Sequence, residues 1–575
     1  MKPKKCPTCG RTYIDETLSF CLEDGAPLVY QDSGAEPATA IFPGTVTGEA
    51  PTRQMPATAD HPVANATEEH ALGGRKHLLV AAALFAVLIA GGAFAYFYGI
   101  GGGRRIDSIA VMPFANASGN PDLEYLSDGI TESLINSLTR VPNLSVKARS
   151  SVFTYKGKDV SPQQVAKDLA VEAVLNGRLV QRGDAVTLNL ELIEAATGNQ
   201  LWGEQYNRKF SDLTALQSEI ARDVSAKLHT KLSGTDEQLV AKNYTQNAEA
   251  YQLYLKGKYH WNRRSRADIL KSIDYFRQAV EMDPNYALAY SGLAEAYILL
   301  PGYAGQDPQA AYTSARTAAA RALELDNTLA EAHAALAVVL SEYDWNFAEA
   351  ERGFRRAIEL NPNYATAHHW YAEFLMAMGR MPEALTEIRR AQELDPLSLI
   401  INSMHGLVLG LNGQYDAAIE QLKRTLEMDP NFARTHIFLA GIYQELGRYE
   451  DAASEFYKVS ILFGMPEQQV NDVHRHVIEA YRKEGPKGYF RMMATLLEER
   501  SKMREASSPA PVTDLAGNWL RAGEKERAYQ LLEEGLKRRD PTMLRLRAPV
   551  FDPIKDEERF RDIVRRVGLP EMQEQ

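Results

Sequence analysis

A short motif returns at a fixed interval through the C-terminal half of this chain. It reads AVEMDPNYALAY up to Tyr290, ALELDNTLAEAH up to His333, AIELNPNYATAH up to His368, AQELDPLSLIIN up to Asn402 and TLEMDPNFARTH up to His436. Pro362, Pro396 and Pro430 stand 34 residues apart. Asn327 takes the proline position 35 residues before Pro362, and Pro284 lies 43 residues before Asn327, so that unit carries an insertion. A period of this length predicts stacked helix pairs, because one pair alone cannot bury its apolar face. The constraint moves the expectation from an enzyme towards an interaction protein.

The register holds residue by residue. In the unit beginning at Glu331, the small residues Ala337, Ala350 and Ala357 fall where helices approach closely, and Phe354 follows Ala350 by four on the same helix face. The next unit has Tyr371, Ala372, Leu375, Ala384, Ile388 and Ala391; the one after has Gly406, Leu409, Ala418 and Leu422. The last full unit has Leu439, Ala440, Tyr443, Ala452 and Phe456, with Gly464 in place of the proline. This pattern resembles the tetratricopeptide repeat family over residues 249–460, and a further unit with Trp519, Ala528 and Leu532 lies near the C-terminus. Repeats are assigned to 245–465 and a helical cap to 466–575. The resemblance implies a groove for a protein or peptide partner, lined by the first helix of each pair. The positions it carries over are Glu342, Tyr343, His369, Glu373, Met376, Ser403, Leu407, Arg434, Ile437, Gln444 and Glu445. No clustered basic clamp for a terminal carboxylate appears among them.

Composition narrows the classes further. At 575 residues the chain is long enough for several domains. A net charge of −11 argues against a nucleic-acid partner, which requires a basic face. All three cysteines precede residue 22, so the rest of the chain holds no disulfide framework.

Residues 78–98 read LLVAAALFAVLIAGGAFAYFY, an uncharged run of the length needed to cross a bilayer. Tyr96, Phe97 and Tyr98 suit the interface, and Arg75, Lys76, Arg104 and Arg105 flank the run. A single transmembrane helix is therefore expected within 75–100. The flanking charges are nearly balanced, so orientation is argued from the cysteines. A thiolate metal site suits a reducing cytosol, which puts the N-terminus inside and the C-terminal domains outside the inner (cytoplasmic) membrane.

Cys6 and Cys9 form a C-x2-C knuckle followed by Gly10, and Cys21 comes twelve residues later. Asp24, followed by Gly25, stands where a fourth thiolate is expected. Residues 1–31 resemble a short zinc ribbon with Cys6, Cys9, Cys21 and Asp24 as ligands to a structural Zn; four protein ligands leave no open position for catalysis. Residues 32–74 are rich in Ala, Pro, Thr and Gly and read as a disordered linker.

A second folded unit spans 104–235. SIAVMPF reads as a buried strand, and the stretch 122–140 carries Leu126, Ile130, Leu134, Ile135 and Leu138 at helical spacing. Pro162 opens a helix. Three alternating strands follow, joined by turns at Gly183 and Gly198, and a helix closes the unit, giving an α/β domain with a mixed sheet. The motifs SIAVMPF, YLSDGITESLINSL, ELIEAATGNQLWGEQY and DLTALQSEIA make it similar to the TolB amino-terminal domain. In relatives of that kind the N-terminal side often carries a kinase, cyclase or winged-helix DNA-binding domain, and none of these is evident here.

Catalytic constellations are wanting. Asp128, Glu132, Glu191 and Glu194 read as a solvated helix face and a strand exit, and no HExxH, GxSxG or kinase motif occurs. His474 and His476, two residues apart, point away from each other on a helix. The expectation is a non-enzymatic, membrane-anchored scaffold with a protein partner in the repeat groove, one membrane span, no nucleic acid and no small-molecule substrate. The alternative is a transmembrane sensor or regulator of a signalling pathway that lacks its own catalytic output domain.

Overall fold

The computed structural model describes residues 4–5, 12–13, 29–30, 106–141, 143–228, 242–503 and 511–570. The expected zinc ligands Cys6, Cys9, Cys21 and Asp24, the linker at 32–74 and the apolar run at 78–98 lie outside the described residues. Among the described residues no helix is long and apolar enough to cross a membrane.

In the N-terminal unit, β1 (Lys4–Lys5) pairs antiparallel with β2 (Thr12–Tyr13) and with β3 (Val29–Tyr30), in the order β2-β1-β3. Lys4 is opposite Tyr13, so the C-x2-C pair falls within the connection between two hydrogen-bonded strands.

The α/β domain is built on a mixed sheet. Its strands are β4 (Ser108–Val111), β5 (Ala115–Asn116), β6 (Ser145–Val146), β7 (Ala173–Arg182), β8 (Ala185–Glu194) and β9 (Gln200–Lys209), ordered β6-β4-β7-β8-β9, with β5 also on β7. β4 runs parallel to β6 and β7, whereas β7, β8 and β9 form an antiparallel meander. Alternation explains β8: Val186, Leu188, Leu190 and Leu192 are buried and the residues between them are not, and only at the end of the strand does Ile193 join them inside. The two hairpin turns use Gly183 (φ 60°) and Gly198 (φ 73°), left-handed positions that favour glycine.

Four helices serve this sheet: α1 (Glu124–Leu138), α2 (Arg149–Phe153), α3 (Pro162–Leu169) and α4 (Leu213–Lys227). α3 starts as its residues dictate, with Ser161 accepting from the Gln164 amide and Pro162 in the first turn. α1 departs from expectation. It is buried not only along Leu126, Ile130 and Leu134 but also at Ser127, Asp128, Gly129 and Glu132. The expectation of a solvated face for Asp128 and Glu132 is corrected: that face packs on the first repeat helix. A methyl group at Gly129 would lie 2.8 Å from the Leu255 Cβ, so the two helices meet almost backbone to side chain.

Six helix pairs follow: α5 (Ala248–Arg263) with α6 (Arg266–Met282), α7 (Ala287–Ala304) with α8 (Pro308–Leu325), α9 (Ala330–Glu342) with α10 (Phe347–Leu360), α11 (Ala365–Ala377) with α12 (Met381–Leu394), α13 (Leu399–Leu411) with α14 (Tyr415–Met428), and α15 (Ala433–Glu445) with α16 (Tyr449–Leu462). α7 and α8 have 18 residues each, against 13 and 14 in α11 and α12, so the insertion lengthens both helices rather than a loop. The cap comprises α17 (Glu467–Met503), broken by a non-helical Gly485, then α18 (Val512–Ala522), α19 (Lys525–Lys537), two 3-10 turns at Pro541–Arg545 and Pro549–Ile554, and α20 (Glu558–Val567).

The recurring motif has a physical role in its last residue. His333, His368 and His436 each place Nε2 2.9–3.0 Å from the carbonyl six residues earlier, and the Asn402 amide donates to the Pro396 carbonyl at 2.8 Å. Glu387, Gln421 and Glu455, also 34 residues apart, complete the column by bonding His368, Asn402 and His436. Carboxylates face the histidines and an amide faces the asparagine, so each donor meets an acceptor. The hydrogen bond to Glu455 holds His436 above its usual pKa, and burial opposes the rise.

Candidate functional site

Glu342, His369, Glu373, Met376, Arg434, Ile437 and Gln444 stand on the first helices of the pairs and Tyr343 just beyond one of them, and all but His369 keep some exposure. Glu342 accepts from the Tyr312 hydroxyl. Burial, with the Glu373 charge adding to it, pushes its carboxyl up to about 7. His369 is 6% exposed, with Nε2 3.4 Å from the Glu373 Oε1. Burial works to raise Glu373, but His369, Arg434 and Arg545 outweigh it and hold the carboxyl below its usual range. Ser403 is fully buried, its hydroxyl bonded to Thr435, so it offers nothing to a partner.

The chain itself meets several of these positions. The Arg539 guanidinium donates to the Tyr343 and Asp344 carbonyls at 3.5 and 3.2 Å and lies 5.5 Å from the Trp345 ring centre. Gln444 donates to the Tyr489 hydroxyl at 3.1 Å, and Glu445 pairs with Arg521. The cap therefore reaches back to units placed about 200 residues earlier in the chain. Two bulky residues in left-handed backbone meet there, Trp345 (φ 57°) and Arg539 (φ 51°). The equivalent turns of the next units use Gly379, Gly413 and Gly447. Such strain costs about 1–3 kcal/mol and persists where the surroundings fix it. The signal was present in the sequence as the 35-residue spacing before Pro362, one residue longer than the two that follow.

The opposite edge of the array carries the α/β domain. Asn361 donates to Thr139 Oγ1 at 3.1 Å, and Asn363 donates to the Thr139 and Leu144 carbonyls. Asp395 accepts from the Ser150 and Ser151 hydroxyls. The repeat turns thus double as docking points, a role that periodicity cannot reveal. The carboxylates weighed for catalysis have other duties. Glu132 lies 3.1 Å from Arg149 Nε and 3.4 Å from Lys258 Nζ and accepts from Asn262 at 2.7 Å, while Asp128 pairs with Lys156 at 2.6 Å. Glu194 accepts from Thr197, and Glu191 sits mid-strand opposite Asn176 and Gly203.

The array of helix pairs that the α/β domain clamps is a tetratricopeptide repeat array. The tetratricopeptide repeat family model matches residues 346–400 and 411–457, and the chain carries these repeats. The model for the HilA/YgeH-like transcriptional regulator, second domain, matches residues 105–223. That is a different family from the TolB amino-terminal domain which the motifs of the same span resemble. A protein described as "Putative adenylate cyclase 3" of Rhizobium meliloti is 33% identical over 237 residues, 41% of this chain and 40% of that protein. The transcriptional regulator HilA of Salmonella typhimurium is 21% identical over 283 residues, 49% of each. The chain thus spans about two fifths to half the length of the curated relatives it matches. Among solved structures, YrrB, a TPR protein with an unusual peptide-binding site, aligns at 22% identity and TM-score 0.24 over 34% of this chain and 94% of its own. Pseudomonas aeruginosa pilF aligns at 20% identity and TM-score 0.30 over 43% and 98%.

Proposed function

We propose that this protein is a non-enzymatic scaffold anchored in the inner membrane by residues 78–98, with its N-terminus cytoplasmic and its repeat array recruiting a protein partner outside. The observation that carries recruitment is the inner face of α9, α11, α13 and α15, where Glu373, Leu407 and Ile437 stay partly exposed between the edges held by the cap and the α/β domain. A photo-crosslinker at position 407 of the full chain, irradiated in intact cells, should give a discrete adduct. Protease added to spheroplasts should remove that adduct without lysis. No adduct beyond that from the outer position Glu420 would remove the recruitment reading; protection until lysis would put the array on the cytoplasmic side.

A structural zinc in the N-terminal ribbon completes this reading. In the sequence Cys6 and Cys9 fall between β1 and β2, and Cys21 and Asp24 precede β3, a spacing that suits a four-ligand site. Purified full-length protein should retain about one zinc per chain, and Cys21→Ser should lose it; equal metal content in the two would exclude the site.

A second reading is favoured by one observation. Residues 105–223 match the second domain of a transcriptional regulator, and the two relatives, one named a regulator and one a cyclase, share only two fifths to half of their length with this chain. On that reading the α/β domain and array form the input half of a regulator whose output is carried by another protein. The same adduct distinguishes the two, since its identity would be a signalling protein rather than an envelope component.

A further inference from the structure

The groove is not chemically uniform, and its first half carries two acids with no strong base beside them. Glu342 on α9 makes one hydrogen bond, from the Tyr312 hydroxyl, and Glu373 on α11 has only His369 within ion-pair reach. Among the described residues no lysine or arginine nitrogen lies within 4.0 Å of either carboxylate. Arg545 acts on both from a distance but is paired with Asp514 at 3.3 Å, and Arg434 faces the Phe438 ring at 6.0 Å. Beside the acids His369 is 94% buried; its Nε2 stands 3.4 Å from the Glu373 Oε1, within ion-pair reach, but makes no hydrogen bond. The Glu373 side chain is 33% exposed, so the position is reachable from solvent. The second half of the same face offers Leu407 on α13 and Ile437 on α15, both partly exposed.

We infer that Glu342 and Glu373 form a subsite for one arginine or lysine side chain of an extended partner segment whose apolar residues then reach Leu407 and Ile437. The inference rests on the reading of the array as a partner groove. A guanidinium or ammonium at the acid pair would gain two charge-assisted hydrogen bonds where the resident carboxylates have none from a strong base. It would also draw Glu342 to its ionised form. Neighbouring first helices stack about 10 Å apart and an extended chain advances about 3.3 Å per residue. From a basic group held between α9 and α11, α13 and α15 lie about 15 and 25 Å on, so the apolar anchors fall roughly four to five and seven to eight residues from the basic one.

Panning the full-length protein in detergent against a randomised ten-residue peptide library tests this. Enriched peptides should share a basic residue with apolar residues at those intervals. They should bind wild type about tenfold tighter than the Glu342→Gln/Glu373→Gln variant. Replacing the peptide's basic residue with norleucine should cause the same loss while leaving the protein untouched, which guards against a folding defect. Peptides that depend on Leu407 but carry no basic residue, or that bind the double variant equally well, would overturn the acid subsite and leave the groove standing. A library in which nothing depends on Leu407, Glu342 or Glu373 would overturn both.

Discussion

Glu132→Ala will destabilise the protein by about 3–5 kcal/mol, because it strands charges that burial has already removed from water. Glu132 is 7% exposed and is held by Arg149 from its own domain and by Lys258 and Asn262 from α5. Without it Lys258 keeps only Glu295, at 3.4 Å, and Arg149 keeps Asp128 at 3.9 Å. The change strikes the joint between the α/β domain and the array, where α1 and α5 are so close that Gly129 cannot carry a methyl group without displacing Leu255. Urea unfolding of the full-length protein reads the effect, with Glu132→Gln as the milder comparison that keeps the Asn262 bond. A loss below about 1 kcal/mol for Glu132→Ala would show that the joint is wet and that the ion pairs contribute as surface pairs do.

Phe354→Ala is expected to cost a similar 3–5 kcal/mol by a different route, the opening of a cavity. Phe354 is 1% exposed, on α10, and its ring lies 5.7 Å from Tyr371 and 5.6 Å from Phe374. It joins one unit to the next, and in a stack of repeats such a defect spreads only to neighbours. Amide exchange should therefore quicken first in α9 to α12 and later in α15 and α16. Uniform acceleration across all six pairs would mean that the array unfolds as one body, tied together by the cap and the α/β domain.

The sequence showed what is periodic and concealed what is long-range. The 34-residue step placed the small residues Ala350 and Ala357 and the large Phe354 in the core, where all three are buried. Alternation in β8 and the glycine turns at 183 and 198 were equally plain. α1 was not, because its apolar stripe is that of a one-sided helix, and its second face is buried through Ser127, Gly129 and Glu132, two polar residues and one without a side chain, which carry no apolar signal. Gly129 and Glu132 meet Leu255, Lys258 and Asn262 on α5, more than 120 residues away and beyond the reach of any local pattern. The repeat resemblance put the groove positions on the first helices of the pairs. That Tyr343, Gln444 and Glu445 would be met by Arg539, Tyr489 and Arg521 was not legible, since nothing in a repeat indicates that its own cap returns to it.

The double docking of the repeat turns has a mechanical meaning. Stacks of helix pairs usually behave as springs, free to wind and unwind along their length. In this one the turns at Asn361 and Asp395 are fastened to the α/β domain along one edge, while the turn at Trp345 is fastened to Arg539 along the other. A spring clamped on both edges cannot change its pitch at one point alone. Whatever widens the space between α9 and α15 must either break a clamp or carry the α/β domain with it.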